Sequence, residues 1–237
     1  MPRAVVFDEF GGPDVMHVVE EPLIEPAAGE VRVRIEAFAV NPLDQMMRSG
    51  TSPALVPLPH SRLGVEGTGV VDALGPGVTG LEAGDPVILT AIPDASVRGS
   101  YAEYTTVAAS RVVARPAGLS IAEAAAVWVA YSTAYGALFE KAGIRPGDHV
   151  LITAASGGVG RAAMQIANQI GAVPIAVTRD TAKKDDLLAA GAAAVIATDH
   201  EDVAEAVRRH TGGAGADNGD INVTVCHAGR PRRCSAR

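Results

Sequence analysis

The feature that most constrains this chain is the run LITAASGGVGRAAMQIANQIGA, residues 151–172. An apolar stretch stops at a glycine-rich turn, and a helix-forming stretch begins at once. A strand, tight turn and helix in that order commit their neighbourhood to a βαβ unit, because only a crossover element returns the chain to a parallel neighbour. The same rhythm continues downstream. Apolar runs and turn residues predict strand 149–154, helix 158–170, strand 173–178, helix 181–190, strand 194–197 and helix 201–210. The fold class is therefore α/β, with a doubly wound parallel sheet.

Upstream the pattern is different. Ala4 to Asp8 and Val15 to Glu20 flank Gly11-Gly12-Pro13, a hairpin signal. In EVRVRIEAFAV, Val31, Val33 and Ile35 alternate with Arg32, Arg34 and Glu36, which predicts a half-buried strand with one wet face. GVEGTGVVDALGPGV, GDPVILT and YAEYTTVAASRVVARP supply further short strands, so a compact, barrel-like β domain is expected. Ser120 and Glu123 form a capping signature, and an alanine-rich helix should run from there to about Ala142. The reading places a β domain at 1–119, a nucleotide-binding domain at 120–217 and an atypical tail at 218–237.

Bulk composition narrows the partners. A net charge of −7 argues against nucleic acid. The N-terminal residues show no basic stretch ahead of an apolar one, and the weakly polar stretch Ala124 to Phe139 is too short to cross a bilayer. The two cysteines, Cys226 and Cys234, make no disulfide framework, and the six histidines have no ligand spacing. These features predict a soluble, cytoplasmic protein acting on a small molecule, with no membrane, no nucleic acid and no metal.

The glycine turn carries the chemistry. Where a strand meets a helix, backbone N–H groups and the helix dipole suit a pyrophosphate. The loop Ala155-Ser156-Gly157-Gly158-Val159-Gly160 departs from G-x-G-x-x-G only in its first position, Ala155. Gly157 admits phosphate and Gly160 admits close helix–strand packing. The other reading is a tight turn that binds nothing. Which dinucleotide binds is decided at the end of the next strand, where Thr178, Arg179 and Lys183 stand, with Lys184 beyond. Cations there suit a 2′-phosphate and point to NADP(H). Asp180 is the counter-argument, since an acid slightly late could still reach a ribose hydroxyl.

GDHVLITAASGGVGRAAMQIA resembles the nucleotide-binding signature of the zinc-independent quinone oxidoreductase and enoyl reductase branch of the medium-chain dehydrogenase/reductase superfamily. AVNPLDQMMRSG, GVEGTGVV and GSYAEYTTV are similar to its N-terminal landmarks, in order, and the likeness covers residues 1 to about 217. The resemblance implies a GroES-like β domain with a Rossmann domain, and NADPH-dependent reduction of a polarised C=C or quinone. Metal-dependent members carry Cys and His where this chain has the Asn41 segment and the residue before Glu66, so no zinc is implied and Glu66 should be structural. By resemblance, Asn41 lines the active-site cleft and Thr133 approaches the nicotinamide side. Otherwise Asn41 shapes a turn before Pro42, and Thr133 back-bonds within its helix. Asp44 reads as a helix-start residue. Relatives often carry tyrosines where this chain has Met46 and Ser52, which leaves Ser52, Tyr131 or water as the proton source.

At TGGAGAD, residues 211–217, the family pattern breaks into NGDINVTVCHAGRPRRCSAR. A complete fold of this type has six strands, whereas three secure strands and one doubtful strand over Ile221 to Cys226 are expected here. The tail, with Arg230, Arg232, Arg233 and Arg237, reads as a shifted frame or as a genuine short form. In the strand order 3-2-1-4, strand 1 should then have a weak or missing neighbour. An exposed edge of that kind predicts homodimer pairing if folded, and otherwise aggregation. The functional expectations are an NADPH-dependent reductase, a non-catalytic remnant holding at most the adenosine half of NADP, or a carbonyl/alcohol oxidoreductase of the same superfamily.

Overall fold

The computed structural model describes residues 1–213 and the backbone of 223–226. Apart from that short strand, the tail and its arginines lie outside the described residues. The chain divides into two compact units, Met1–Val129 and Ala130–Arg237.

The first unit is antiparallel throughout. Its elements are β1 (Arg3–Phe7), β2 (Met16–Glu20), β3 (Glu30–Ala37), α1 (Pro42–Ser49), β4 (Ser61–Arg62), β5 (Gly67–Leu74), β6 (Pro86–Leu89), α2 (Ala95–Arg98), β7 (Tyr104–Ala108), β8 (Val112–Ala114) and the start of α3 (Ile121–Tyr135). A three-stranded sheet runs β2-β1-β4 and a five-stranded sheet runs β7-β3-β5-β6-β8. The Gly11–Pro13 hairpin forms as expected, pairing Arg3 with Glu20 through Phe7 with Met16. Both sheets face one core containing Phe7, Val31, Val33, Leu63, Val87 and Leu89.

The wet face expected of β3 needs correction. Arg34 and Glu36 are exposed, but Arg32 is only 8% exposed. Its guanidinium donates to Asp72 at 2.6 Å, Glu25 at 2.9 Å and the Ile24 carbonyl at 3.1 Å. Alternation shows which face a strand residue occupies, but it does not show that remote acids come to cover that face. Ser120 caps α3 as expected: its N–H and Oγ–H donate to Glu123, whose N–H returns to Ser120 Oγ. The helix then widens into a π-turn over Gly136–Lys141.

In the second unit, β9 (His149–Ile152), α4 (Gly158–Gln169), β10 (Val173–Thr178), α5 (Lys184–Ala189), β11 (Ala194–Ala197) and α6 (Val203–His210) follow the expected alternation. Pairing of β11 with β10 and of β10 with β9 is parallel. Alternate strand residues serve two cores, as a sheet covered on both faces requires. Val150, Ile152 and Ala176 pack with α4 and with Leu187 of α5. Leu151, Ile175 and Val177 pack with Ala206 and Val207 of α6.

The neighbour of β9 differs from expectation. β12 (Val223–Cys226) takes that edge and runs antiparallel, pairing Val223 with Ile152 and Cys226 with His149. The order β11-β10-β9-β12 is the anticipated 3-2-1-4, but strand 1 has a partner and the sheet is not wholly parallel. The edge N–H and C=O groups of β9 accept a strand of either polarity, and residue type does not encode which one arrives.

Candidate functional site

The cofactor-side candidates sit where β9 ends. The chain bends at Ala154, which adopts a left-handed conformation (φ 47°) uncommon for a residue with a Cβ. Gly157, the N-cap of α4, is extended (φ −78°, ψ 170°), and no side chain caps the helix. The first-turn N–H groups at Gly158, Val159 and Gly160 have no intrahelical acceptor. They form the positive end of the helix dipole.

The two key glycines are small for different reasons. A Cβ on Gly160 would lie 2.6 Å from Ala155 Cα and 2.8 Å from the carbonyl oxygens of Ala154 and Ala155. Packing inside the protein alone forbids a side chain there. A Cβ on Gly157 would meet only the Ala154 carbonyl at 3.3 Å. That contact is tight but single, and the backbone conformation is one that any residue adopts, so packing constrains position 157 far less than 160, and glycine there leaves the outer surface of the turn open. Ala155 is buried, Ser156 and Val159 are half-buried, and Gly157 and Gly158 are exposed.

At the end of β10, Thr178 is buried and its Oγ1 accepts the Asp180 N–H at 3.3 Å. Asp180 turns its carboxylate inward to the Ala182 N–H at 2.9 Å, capping the short turn Thr181–Lys183. Asp199 accepts from the Thr181 N–H and hydroxyl, which hold its carboxyl below the usual carboxylate range. Asp199 is thus committed to Thr181 through both oxygens, whereas Asp180 gives one oxygen to its own turn. Arg179 and Lys183 are exposed, and neither makes an ion pair among the described residues.

Tyr131 packs against the unit's core, and its hydroxyl donates to Gln165 of α4. Thr133, two residues on, is exposed.

In the first unit, Asn41 is the N-cap of α1 with Pro42 at the first helical position. Its N–H donates to Asp44 Oδ2 at 2.8 Å and its Nδ2 donates to Glu66 Oε1 at 2.9 Å. Asp44 is 2% exposed and also takes the Gly64 N–H at 3.0 Å, so it is the expected helix-start residue. Burial pushes its carboxyl above the usual range against the pull of these hydrogen bonds. The Tyr101 hydroxyl, donating to Asp44, is pushed up by the same burial. Ser52 lies beyond the other end of α1, a helix roughly 12 Å long. Its N–H donates to the Met46 carbonyl and its Oγ accepts from Ala54. No hydrogen bond joins Asn41 to Ser52 among the described residues.

Two residues escaped sequence reasoning as parts of these constellations. Glu66, expected to be structural, is bonded directly to Asn41. Arg161 is the lone charge on α4, and its Nε donates to the Ser156 carbonyl at 3.3 Å. A cation in a helix's first turn opposes the dipole, and that conflict was legible in the sequence. Among the described residues, no group of three or more His, Cys, Asp or Glu could hold a metal, and no helix is long and apolar enough to cross a membrane.

Residues 27–117 match the model of the alcohol dehydrogenase GroES-like domain, and residues 158–224 match that of the zinc-binding dehydrogenase family. The chain is 35% identical over 213 residues to quinone oxidoreductase 1 of Escherichia coli (strain K12), covering 90% of this chain and 63% of that protein. It superposes on the crystal structure of Escherichia coli quinone oxidoreductase complexed with NADPH with a TM-score of 0.80 at 34% identity, over 90% of this chain and 63% of the other. A structure described as an NAD-dependent alcohol dehydrogenase gives 0.84 at 39% identity, over 90% and 68%. The chain spans less than two thirds of the length of the quinone oxidoreductases it matches. With both family models falling in the expected order on these two units, the chain belongs to the medium-chain dehydrogenase/reductase superfamily, in its quinone oxidoreductase branch.

Proposed function

We propose that the chain binds NADP(H) and serves a metal-free oxidoreductase that reduces a quinone, an enone or an enoyl thioester. The observation that carries the reading is the turn at Gly157, where glycine leaves the outer surface open beside a helix N-terminus that no side chain caps. The first-turn N–H groups and Arg161 would hold the pyrophosphate. Arg179 and Lys183 would hold a 2′-phosphate, while Asp180 gives one carboxylate oxygen to its own turn. When bound, NADPH supplies a hydride to an electron-poor carbon.

The chain's own groups supply the rest. The Asn41 amide would donate toward a carbonyl oxygen, and Thr133 would face the nicotinamide side. Ser52 or solvent delivers the proton. Tyr131 serves that role only by giving up its bond to Gln165. Absence of a zinc step is supported by donor chemistry, since the segment Asn41-Pro42-Leu43-Asp44 holds no Cys and Val65 stands where metal-dependent relatives carry His. A cytoplasmic setting and a homodimeric state belong to the same reading, and light scattering tests the second.

The antiparallel β12, in the place where a doubly wound sheet would continue in parallel, favours a second reading: a binder of the adenosine half alone. The likeness to a structure described as an NAD-dependent alcohol dehydrogenase keeps a carbonyl reductase as the third. Titration of the 237-residue chain with NADPH and NADH, followed at 340 nm with a quinone, an enone and an aldehyde, separates all three. Turnover with quinone or enone supports the proposal. NADPH binding without turnover supports the second reading, and turnover with aldehyde alone supports the third.

A further inference from the structure

We propose that Glu66 is a positioning residue that sets which way the Asn41 amide faces, an inference that rests on the reading of Asn41 as a substrate-side group. Glu66 is 1% exposed, and its two carboxylate oxygens each take one donor. Oε1 accepts Asn41 Nδ2 at 2.9 Å, and Oε2 accepts the backbone N–H of Val129 in α3 at 2.8 Å. Its own carbonyl is held by the Ser100 hydroxyl at 2.6 Å. The two ends of an asparagine amide have nearly the same shape, so packing alone would let the group turn over. A carboxylate accepts and does not donate, so only the NH2 end is stable against it.

Two acids therefore divide the task of holding Asn41. Asp44 takes its backbone N–H and Glu66 takes its side chain. With one Nδ2 proton committed to Glu66, the second remains as the donor that Asn41 can offer a carbonyl oxygen. Burying a carboxylate merely to fill space is costly, because a well-packed apolar side chain avoids the desolvation of a charge. The orientation of the amide is what the carboxylate adds.

Glu66→Gln separates orientation from packing. Glutamine keeps the shape of glutamate but presents one acceptor and one donor, and so cannot satisfy both partners. The backbone N–H of Val129 cannot turn, so glutamine gives it the oxygen and presents NH2 to Asn41, which must flip. In the full chain labelled with 15N-asparagine, the wild type should show one Asn41 Nδ2 proton exchanging at least about tenfold more slowly than a free amide, the protection expected of a half-buried, charge-assisted bond. That protection should vanish in Glu66→Gln and persist, weakened, in Glu66→Asp. In turnover with NADPH and a quinone, kcat of Glu66→Gln should fall on the order of ten- to a hundredfold with the KM for NADPH unchanged.

An unprotected Asn41 amide in the wild type overturns the proposal whether or not the variant folds. Unchanged protection in a folded Glu66→Gln chain overturns it as well. A protected wild-type amide released in Glu66→Gln upholds the positioning role even if the wild type turns over nothing. That last result would instead count against the reductase reading for this chain.

Discussion

The two candidate regions are built on opposite principles. Around Asn41 the polar groups are held from within: one Nδ2 proton goes to Glu66 and the backbone N–H to Asp44, which in turn accepts from Gly64 and Tyr101. Around Gly157 they are left open, with a helix end that no side chain caps, a turn that presents Gly157 and Gly158 to solvent, and two exposed cations outside any ion pair among the described residues. The first region is organised before anything binds. The second is organised for a ligand it does not contain. Substitutions should therefore cost folding in the first region and binding in the second, with Gly160 as the instructive exception.

Gly160→Ala should have the largest effect. Its Cβ would press on backbone atoms at 2.6–2.8 Å, which cannot rotate away. Overpacking of this kind costs about 3 kcal/mol, and the shift of the urea midpoint measures it. A loss below about 1 kcal/mol would mean that the turn is looser than its contacts imply.

Asp44→Asn comes next, at about 2 kcal/mol near neutral pH, because an amide cannot accept all the N–H and O–H donors converging on it. Burial raises the folded-state pKa of Asp44 above its unfolded value, so the carboxyl protonates more readily in the folded chain. Its stabilising contribution is full below the unfolded pKa and is lost as pH rises through the folded one. The stability gap between wild type and Asp44→Asn should widen as pH falls from about 7 to about 4. A gap that narrows would reject the assignment.

A double substitution, Arg179→Ala with Lys183→Ala, should weaken NADPH about tenfold, the worth of a charge-assisted contact, and leave NADH nearly unchanged. Calorimetric titration decides this, and an equal loss for both cofactors would remove the 2′-phosphate from the account. Tyr131→Phe should do least. It loses one hydroxyl bond to Gln165, worth about 1 kcal/mol. Abolished quinone turnover in an otherwise stable Tyr131→Phe chain would instead give Tyr131 the proton.

Much of this was legible in the residues. The Gly11–Pro13 hairpin, the Ser120–Glu123 cap and the alternation from β9 to α6 are local, and their signals lie within a few positions of the elements they specify. What escaped depends on partners far along the chain. Arg32 is buried because Glu25 and Asp72 reach it. The polarity of β12 is decided by an edge about 70 residues away in the chain. The same holds for the site: the cradle residues 155–160 were readable as a motif, whereas the bond between Asn41 and Glu66, 25 positions apart, was not.

The central claim is that Gly157 is small for the sake of a bound NADP(H), and one pair of measurements tests it most directly. NADPH and NADH should be titrated against wild type and Gly157→Ala, with urea unfolding run on both chains. The account predicts tighter binding of NADPH than NADH by the wild type. In Gly157→Ala it predicts at least a tenfold loss of NADPH affinity, with a loss of stability no greater than about 1 kcal/mol from the weaker N-cap and the tight contact with the Ala154 carbonyl. Equal NADPH affinity in the two chains, or no binding by the wild type, would contradict it.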